Sequence, residues 1–176
     1  MRFRFAVLVA VTSFLTVLSP AHAAPRPTAI HTAAIDSAYV QRMMFGLSLR
    51  DFLINASVGD SWFDWGTDYC SAPMVGSTGM SFDFRSPCRR HDFGYRNLKL
   101  LERRYGTGST YWNSYSRLQV DKQLLADMQA HCRTRSPFLQ PSCNTWAPVS
   151  YTHLRAHETV LDLVCRLLLE KQNTQP

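Results

Sequence analysis

The chain reads as mainly α: two long antiparallel disulfide-linked helices, with additional shorter helices and a long ordered loop. Three observations predict this. Residues 86–105 and 111–133 each place apolar side chains at helical spacing over five or more turns. No segment alternates apolar and polar with the period of two that a half-buried strand needs, and no internal repeat is present. Four cysteines, Cys70, Cys88, Cys132 and Cys143, flank or sit on those two stretches.

The two ends are set aside first. Residues 1–23 begin Met1-Arg2-Phe3-Arg4, continue through an apolar run from Phe5 to Leu18 and finish Ala21-His22-Ala23. A basic start, an apolar centre too short to span a bilayer and an A-x-A ending describe a cleaved secretory signal. Secretion to an extracellular, oxidising compartment is therefore expected, with no later segment apolar enough to anchor the chain. Residues 24–33 read as a proline-containing leader or propeptide. At the other end, residues 148–176 read as translated sequencing-library adapter in place of a native C-terminus. The runs from Pro148 to Thr159 and from Leu163 to Lys171 back-translate to adapter, and three residues stand between them where a sample barcode would sit. His153, His157 and Glu158 have helical i, i+4, i+5 spacing, but in such a tail they carry no metal-site meaning.

What remains, residues 24–147, is the size of one domain with a modest core. It holds 14 basic and 10 acidic residues, against +6 for the whole chain. That balance permits contact with anionic surfaces, but no Lys/Arg-rich block of the kind that binds nucleic acid is present. Discarding Cys165 from the tail leaves an even number of cysteines. Four allow three pairings, and the sequence-local choice is Cys70–Cys88 with Cys132–Cys143. Each such loop closure is worth roughly 3 kcal/mol in the chain-entropy picture. A zinc site is the weaker reading, because no C-x-x-C pair or cysteine–histidine knuckle occurs.

The elements follow in order. From about Ala34 to Asn55, Ile35, Tyr39, Met43, Leu47 and Phe52 suit an amphipathic helix or a broken pair. Residues 56–85, rich in Gly, Ser, Asp and aromatics, mark the long ordered loop. Ser86 suits an N-cap and Pro87 a first turn, opening a helix that runs to Tyr105 and stops at Gly106. A second long helix covers roughly Tyr111 to Arg133, and the short connection makes the pair antiparallel. Pro137 and Pro141 punctuate a closing loop, and Cys143 begins a last helical element.

At about 100° per residue, His91 shares a face with Tyr95, Leu98, Leu101 and Tyr105, while Arg89, Arg96 and Arg103 recur on the opposite, solvated face. On the second helix Leu118, Leu125, Met128 and Cys132 form an apolar stripe with Asp121 in its middle. A carboxylate buried there alone would cost several kcal/mol, and inward-facing His91 is its natural partner. Taken singly, each residue also suits a bland role: a core histidine bonded to a carbonyl, an aspartate at a helix edge. Asp92 follows Cys88 by four residues and Asp68 precedes Cys70 by two. A Cys70–Cys88 bridge would therefore bring the Asp68-Tyr69 loop to Asp92, gathering two carboxylates and a backbone carbonyl. Such oxygen-only, highly charged donors suit Ca²⁺ and exclude soft metals. The alternative is that Asp68 caps a turn and Asp92 pairs with Arg96.

Asp68-Tyr69-Cys70, the run Cys88-Arg89-Arg90-His91-Asp92-Phe93-Gly94-Tyr95-Arg96-Asn97, and Asp121 eleven residues before Cys132 together resemble the small secreted phospholipase A2 enzymes of bacteria and fungi. The likeness covers roughly residues 63–146, within a domain of residues 34–147. It implies that the two long helices carry the active site, with His91 as base and Asp121 as its partner. It also implies an ordered calcium loop, with Ca²⁺ held by Asp68, Asp92 and the carbonyl of Tyr69. The implied reaction is calcium-dependent hydrolysis of a phospholipid sn-2 ester by water, which agrees with the absence of a serine in a G-x-S-x-G setting. The implied partner is a phospholipid membrane or micelle surface, met by a monomer. Trp62, Phe63, Trp65 and the Tyr111-Trp112 pair are candidates for the lipid-facing surface. A catalytically silent calcium-dependent membrane- or receptor-binding module is the alternative, which would need neither His91 nor Asp121. A secreted metal-dependent nuclease is a third reading, which would need more metal ligands and a basic cleft.

Overall fold

The computed structural model describes residues 30–70, 78–79, 82–153 and 155. The expected signal at residues 1–23 lies outside these. The chain forms α1 (Ala33–Gln41), a π turn (Arg42–Gly46), α2 (Leu49–Ser57), a hairpin of β1 (Thr78–Gly79) and β2 (Phe82–Asp83), then α3 (Arg85–Tyr105) and α4 (Ser114–Arg133). A further helix, α5, occupies residues 140–153. The mainly α reading is correct.

α3 and α4 are the frame. Their contacts run in opposite order along the two helices: Arg90 with Asp127, His91 with Asp121, and the backbone of Gly94 with Val120. The helices are therefore antiparallel. The stretch from residue 34 to 55 is the broken pair rather than one helix. Ser48 starts α2 by accepting the Asp51 N–H, and the π turn ahead of it turns Met43 and Met44 into the core. Core residues from α1, the π turn and α2 (Val40, Met43, Met44, Phe52) meet Phe93, Leu98, Leu101 and Val120 of the long helices. A second cluster forms around Phe84, Leu124, Met128 and the two disulfides.

Cys70 is bonded to Cys88 and Cys132 to Cys143. Each bridge ties one long helix to a flanking segment: the loop before α3 in the first case, α5 in the second. The described end of the leader, residues 30–33, is engaged too. Thr32 caps α1, and His31 stacks on Trp62 with ring centroids 4.2 Å apart.

Several local expectations are corrected. α3 starts at Arg85, not after a Ser86 cap. Asp83 does the capping, its Oδ1 accepting the Arg85 N–H at 3.1 Å, because Phe84 in the cap position is spent on the core. α4 starts at Ser114, where Asn113 and Ser116 form a reciprocal capping box. Its buried stripe is Val120, Leu124, Met128 and Cys132, with Leu118 and Leu125 only half-buried. Ile35 faces solvent. The hairpin leaves no signal in the sequence because two-residue strands are too short to show an alternating pattern. α3 ends where Gly106 turns to extended backbone, with ψ of 148°, and a Cβ there would sit 2.2 Å from a Glu102 carboxylate oxygen.

Candidate active site

His91 lies on α3 two turns in from its start, facing α4, and is almost fully buried. Its Nε2 lies 3.0 Å from Asp121 Oδ1. The same Asp121 oxygen accepts the Tyr95 hydroxyl at 2.8 Å, one helical turn beyond His91. An acceptor-only carboxylate puts the imidazole proton on Nε2, so Nδ1 is the nitrogen that can take a proton. The His91 and Tyr95 rings pack with centroids 4.4 Å apart, which fixes both. Arg155 Nε of the C-terminal segment stands 4.0 Å from the other Asp121 oxygen.

Asp92 points the other way, toward the loop before Cys70. Its Oδ2 accepts the Thr67 hydroxyl at 2.5 Å and the Tyr69 backbone N–H at 3.1 Å. Tyr69 has φ of 57°, the left-handed region that non-glycine residues rarely adopt. That conformation aims its N–H at Asp92. Burial pushes the Asp92 carboxyl up to about 6, with the Asp68 charge adding to the rise and the Thr67 hydrogen bond opposing it. Asp68 itself is largely exposed, 3.9 Å from the Arg96 guanidinium. Asp64, Asp68 and Asp92 line one groove of about 320 Å³.

Two carboxylates thus line one groove, and both are hard oxygen donors. One of those carboxylates is held at a raised value by burial and like charge, a condition a bound cation relieves. On these grounds Asp68 and Asp92 fit Ca²⁺, although among the described residues no three His, Cys, Asp or Glu side chains converge on one point. Tyr69 presents its N–H, not its carbonyl, to Asp92.

The loop is held by residues that sequence reasoning passed over. Asn97 donates to the carbonyls of Asp64 at 2.7 Å and Phe93 at 2.8 Å, and accepts the Asp64 N–H at 2.9 Å. Arg90 is buried and forks onto Asp127, with Nη1 on the Leu47 carbonyl at 2.7 Å. Its signal in the sequence is slight: a lone arginine on the inward side of α3, seven residues before Asn97. Asp36 is a third hub, accepting from His31, Trp62 and Tyr105 at 2.9, 2.6 and 2.8 Å.

The aromatics expected at a lipid surface are mostly packing. Phe63 is core. Trp62 is covered by His31 on one side and by the Arg104 guanidinium 3.9 Å from its ring. Trp65 lies on Phe93, and Trp112 on Tyr95. Phe45 and Tyr115 are exposed instead, at the rim of a cleft of about 400 Å³ lined by Val40, Met44, Leu98 and Val120. Among the described residues no helix is long and apolar enough to cross a membrane.

Comparison with known proteins gives this geometry a family. The model of the family described as prokaryotic phospholipase A2 matches residues 40–158, and so continues past residue 147, where adapter sequence is expected to begin. The chain is 31% identical over 141 residues to a secretory phospholipase A2 of Arthroderma benhamiae, covering 78% of this chain and 86% of that protein. It is 30% identical over 115 residues to a secretory phospholipase A2 of Beauveria bassiana, covering 65% of this chain and 54% of that protein. The chain belongs to the prokaryotic phospholipase A2 family and is a phospholipase A2 enzyme.

Proposed function

We propose that the chain is a secreted, monomeric, calcium-dependent hydrolase of the glycerophospholipid sn-2 ester, releasing a fatty acid and a lysophospholipid at a membrane or micelle surface. The observation that carries this is the buried His91–Asp121–Tyr95 cluster standing one residue away from the Asp92 groove. His91 takes a proton from the attacking water at Nδ1 and returns it to the departing alcohol. Asp121 holds the ring through Nε2 and stabilises the imidazolium that forms. Tyr95 fixes the Asp121 carboxylate in turn. Asp68 and Asp92, with the Tyr69 carbonyl expected from the family resemblance, would hold Ca²⁺, which when bound supplies positive charge for the substrate's phosphate and developing oxyanion. Phe45 and Tyr115, exposed beside an apolar cleft, are the surface best suited to meet lipid. Secretion is supported by the signal-like residues 1–23 and by the names of both relatives.

The test is release of labelled fatty acid from a 2-acyl-labelled phospholipid, with and without a calcium chelator. His91→Asn is expected to abolish release and keep calcium affinity, whereas Asp92→Asn is expected to lose both. Normal calcium binding by Asp92→Asn would overturn the ligand assignment. Calcium and vesicle binding without any release by the unaltered protein would favour the silent binding module.

A further inference from the structure

We propose that the groove beside Asp92 selects its lipid by head-group charge, favouring an anionic glycerophospholipid over a choline-headed one. The proposal rests on the phospholipid reading above and names the substrate class for that site. The groove is two-signed. Its acidic end is Asp64, Asp68 and Asp92, and the remainder is lined by Arg96, Lys99 and Arg103 with Tyr95.

Asp92, Arg96, Lys99 and Arg103 are spaced four, three and four residues apart on α3, which puts all four on one helical stripe. At about 1.5 Å per residue, Arg96 and Lys99 lie roughly 6 and 10 Å along the axis from Asp92. Helical side chains lean toward the N-terminus, so both cations tilt back toward Asp92. A head group whose phosphate sits at the acidic end therefore extends directly over them.

The cations are held in place. Arg96 packs against the loop backbone, with Nη1 3.2 Å from where a Gly66 Cβ would stand. The Lys99 ammonium sits 4.6 Å from the centroid of the Trp112 ring and 6.0 Å from that of Tyr95. This second contact decides the sign of the preference. A quaternary ammonium is recognised on an aromatic face, and Tyr95, the aromatic that lines the groove, already has the Lys99 ammonium over its ring. A choline head group thus brings a cation against Lys99 and Arg103 with no aromatic seat, while a glycerol head group brings none. Arg103 is exposed at the outer end.

The test uses monomeric short-chain lipids below their aggregation concentration, which removes the bilayer's own field. Equilibrium binding of non-hydrolysable dialkyl ethers is read by tryptophan fluorescence with calcium present. The full chain is expected to bind the glycerol-headed ether about fivefold more tightly than the choline-headed one, the upper end of what a charge contact at an exposed site supplies. Lys99→Gln with Arg103→Gln is expected to bring the ratio within about twofold, and Lys99→Arg to keep it. Thermal melts verify that each variant is folded. A full preference in the double glutamine variant overturns the proposal. So does a preference seen only on vesicles, which would assign it to the bilayer surface. If the ethers show the preference but neither diacyl counterpart is cleaved, the hydrolytic reading fails while the head-group site stands.

Discussion

Gly94 sets the distance between the two long helices, and replacing it tests the geometry of the site. A Cβ at Gly94 would lie 2.8 Å from the Met44 thioether and 2.9 Å from Val120 Cγ1. Met44 is flexible and can yield. Val120 is β-branched on a helix, where essentially one χ1 is open to it, so relief on that side requires α4 to move. Ordinary contact starts at 3.4 Å, which asks for about 0.5 Å more room. The His91–Asp121 hydrogen bond of 3.0 Å crosses the same interface three residues away, and the shift would carry it to the edge of hydrogen-bonding range. Gly→Ala in a helix interior gains about 1 kcal/mol of propensity, while overpacking costs about 1–3 kcal/mol. Gly94→Ala is therefore expected to lower stability by about 1 kcal/mol, while labelled fatty-acid release falls roughly tenfold. Urea unfolding at unchanged slope measures the first quantity and turnover the second. Val120→Ala in the same background opens the space and is expected to restore turnover. A Gly94→Ala protein that is about 1 kcal/mol more stable and fully active would show that α4 does not pack on Gly94.

Three further outcomes follow from buried polar groups. Arg90→Met strands Asp127 without its partner and should cost about 3–5 kcal/mol in urea unfolding, with Asp127→Leu added on top restoring most of it; if the double variant is as unstable as the single, the pair is not the cause. Burial alone would push the Asp36 carboxyl up, but hydrogen bonds from His31, Trp62 and Tyr105 outweigh it and hold it below the usual carboxylate range. A depressed folded value means that its stabilisation is full above the unfolded value of about 3.9 and is lost as pH falls through the folded one. The urea midpoint should thus separate from that of Asp36→Asn at neutral pH and converge with it in strong acid, and parallel curves would sink the assignment. Ser150 is buried with no partner for its hydroxyl among the described residues; Ser150→Ala should raise stability by about 1 kcal/mol, and a loss would mean the hydroxyl is satisfied.

The elements that were legible in the sequence are those specified locally. α3 shows its inward stripe of His91, Tyr95, Leu98 and Leu101, and its stop at Gly106, because each depends on spacing within one helix. The disulfide pairing was legible because the sequence-local choice is also the one that short loops can close. Asp121 could be paired with His91 because a carboxylate in an apolar stripe demands a partner. Arg90 and Asp127 are not legible because their partnership joins positions 37 residues apart, and nothing local distinguishes Arg90 from its half-buried neighbour Arg89. The aromatic loop misled for a related reason. Tryptophans in a Gly- and Asp-rich stretch suggest exposure, whereas here the loop is a hydrogen-bonded layer over the core, with Trp62 and Trp65 each donating to an aspartate side chain or backbone. α1 carries Ile35 outward and Val40 inward because five residues place them about 140° apart, and the π turn after it resets the phase for Met43 and Met44.

Asn97 lets a helix behave as the neighbouring strand of a sheet. Its amide meets both the N–H and the carbonyl of Asp64, which is how one peptide group pairs with another across a ladder. The loop is thereby indexed to α3 at a single rung, and Cys70–Cys88 supplies the second fixed point six residues on. Between two such pins the chain length is a measured quantity. Insertion or deletion of one residue between Asp64 and Cys70 would leave both pins intact and slide Asp68 off Asp92. This segment should therefore accept changes of side chain far more readily than changes of length.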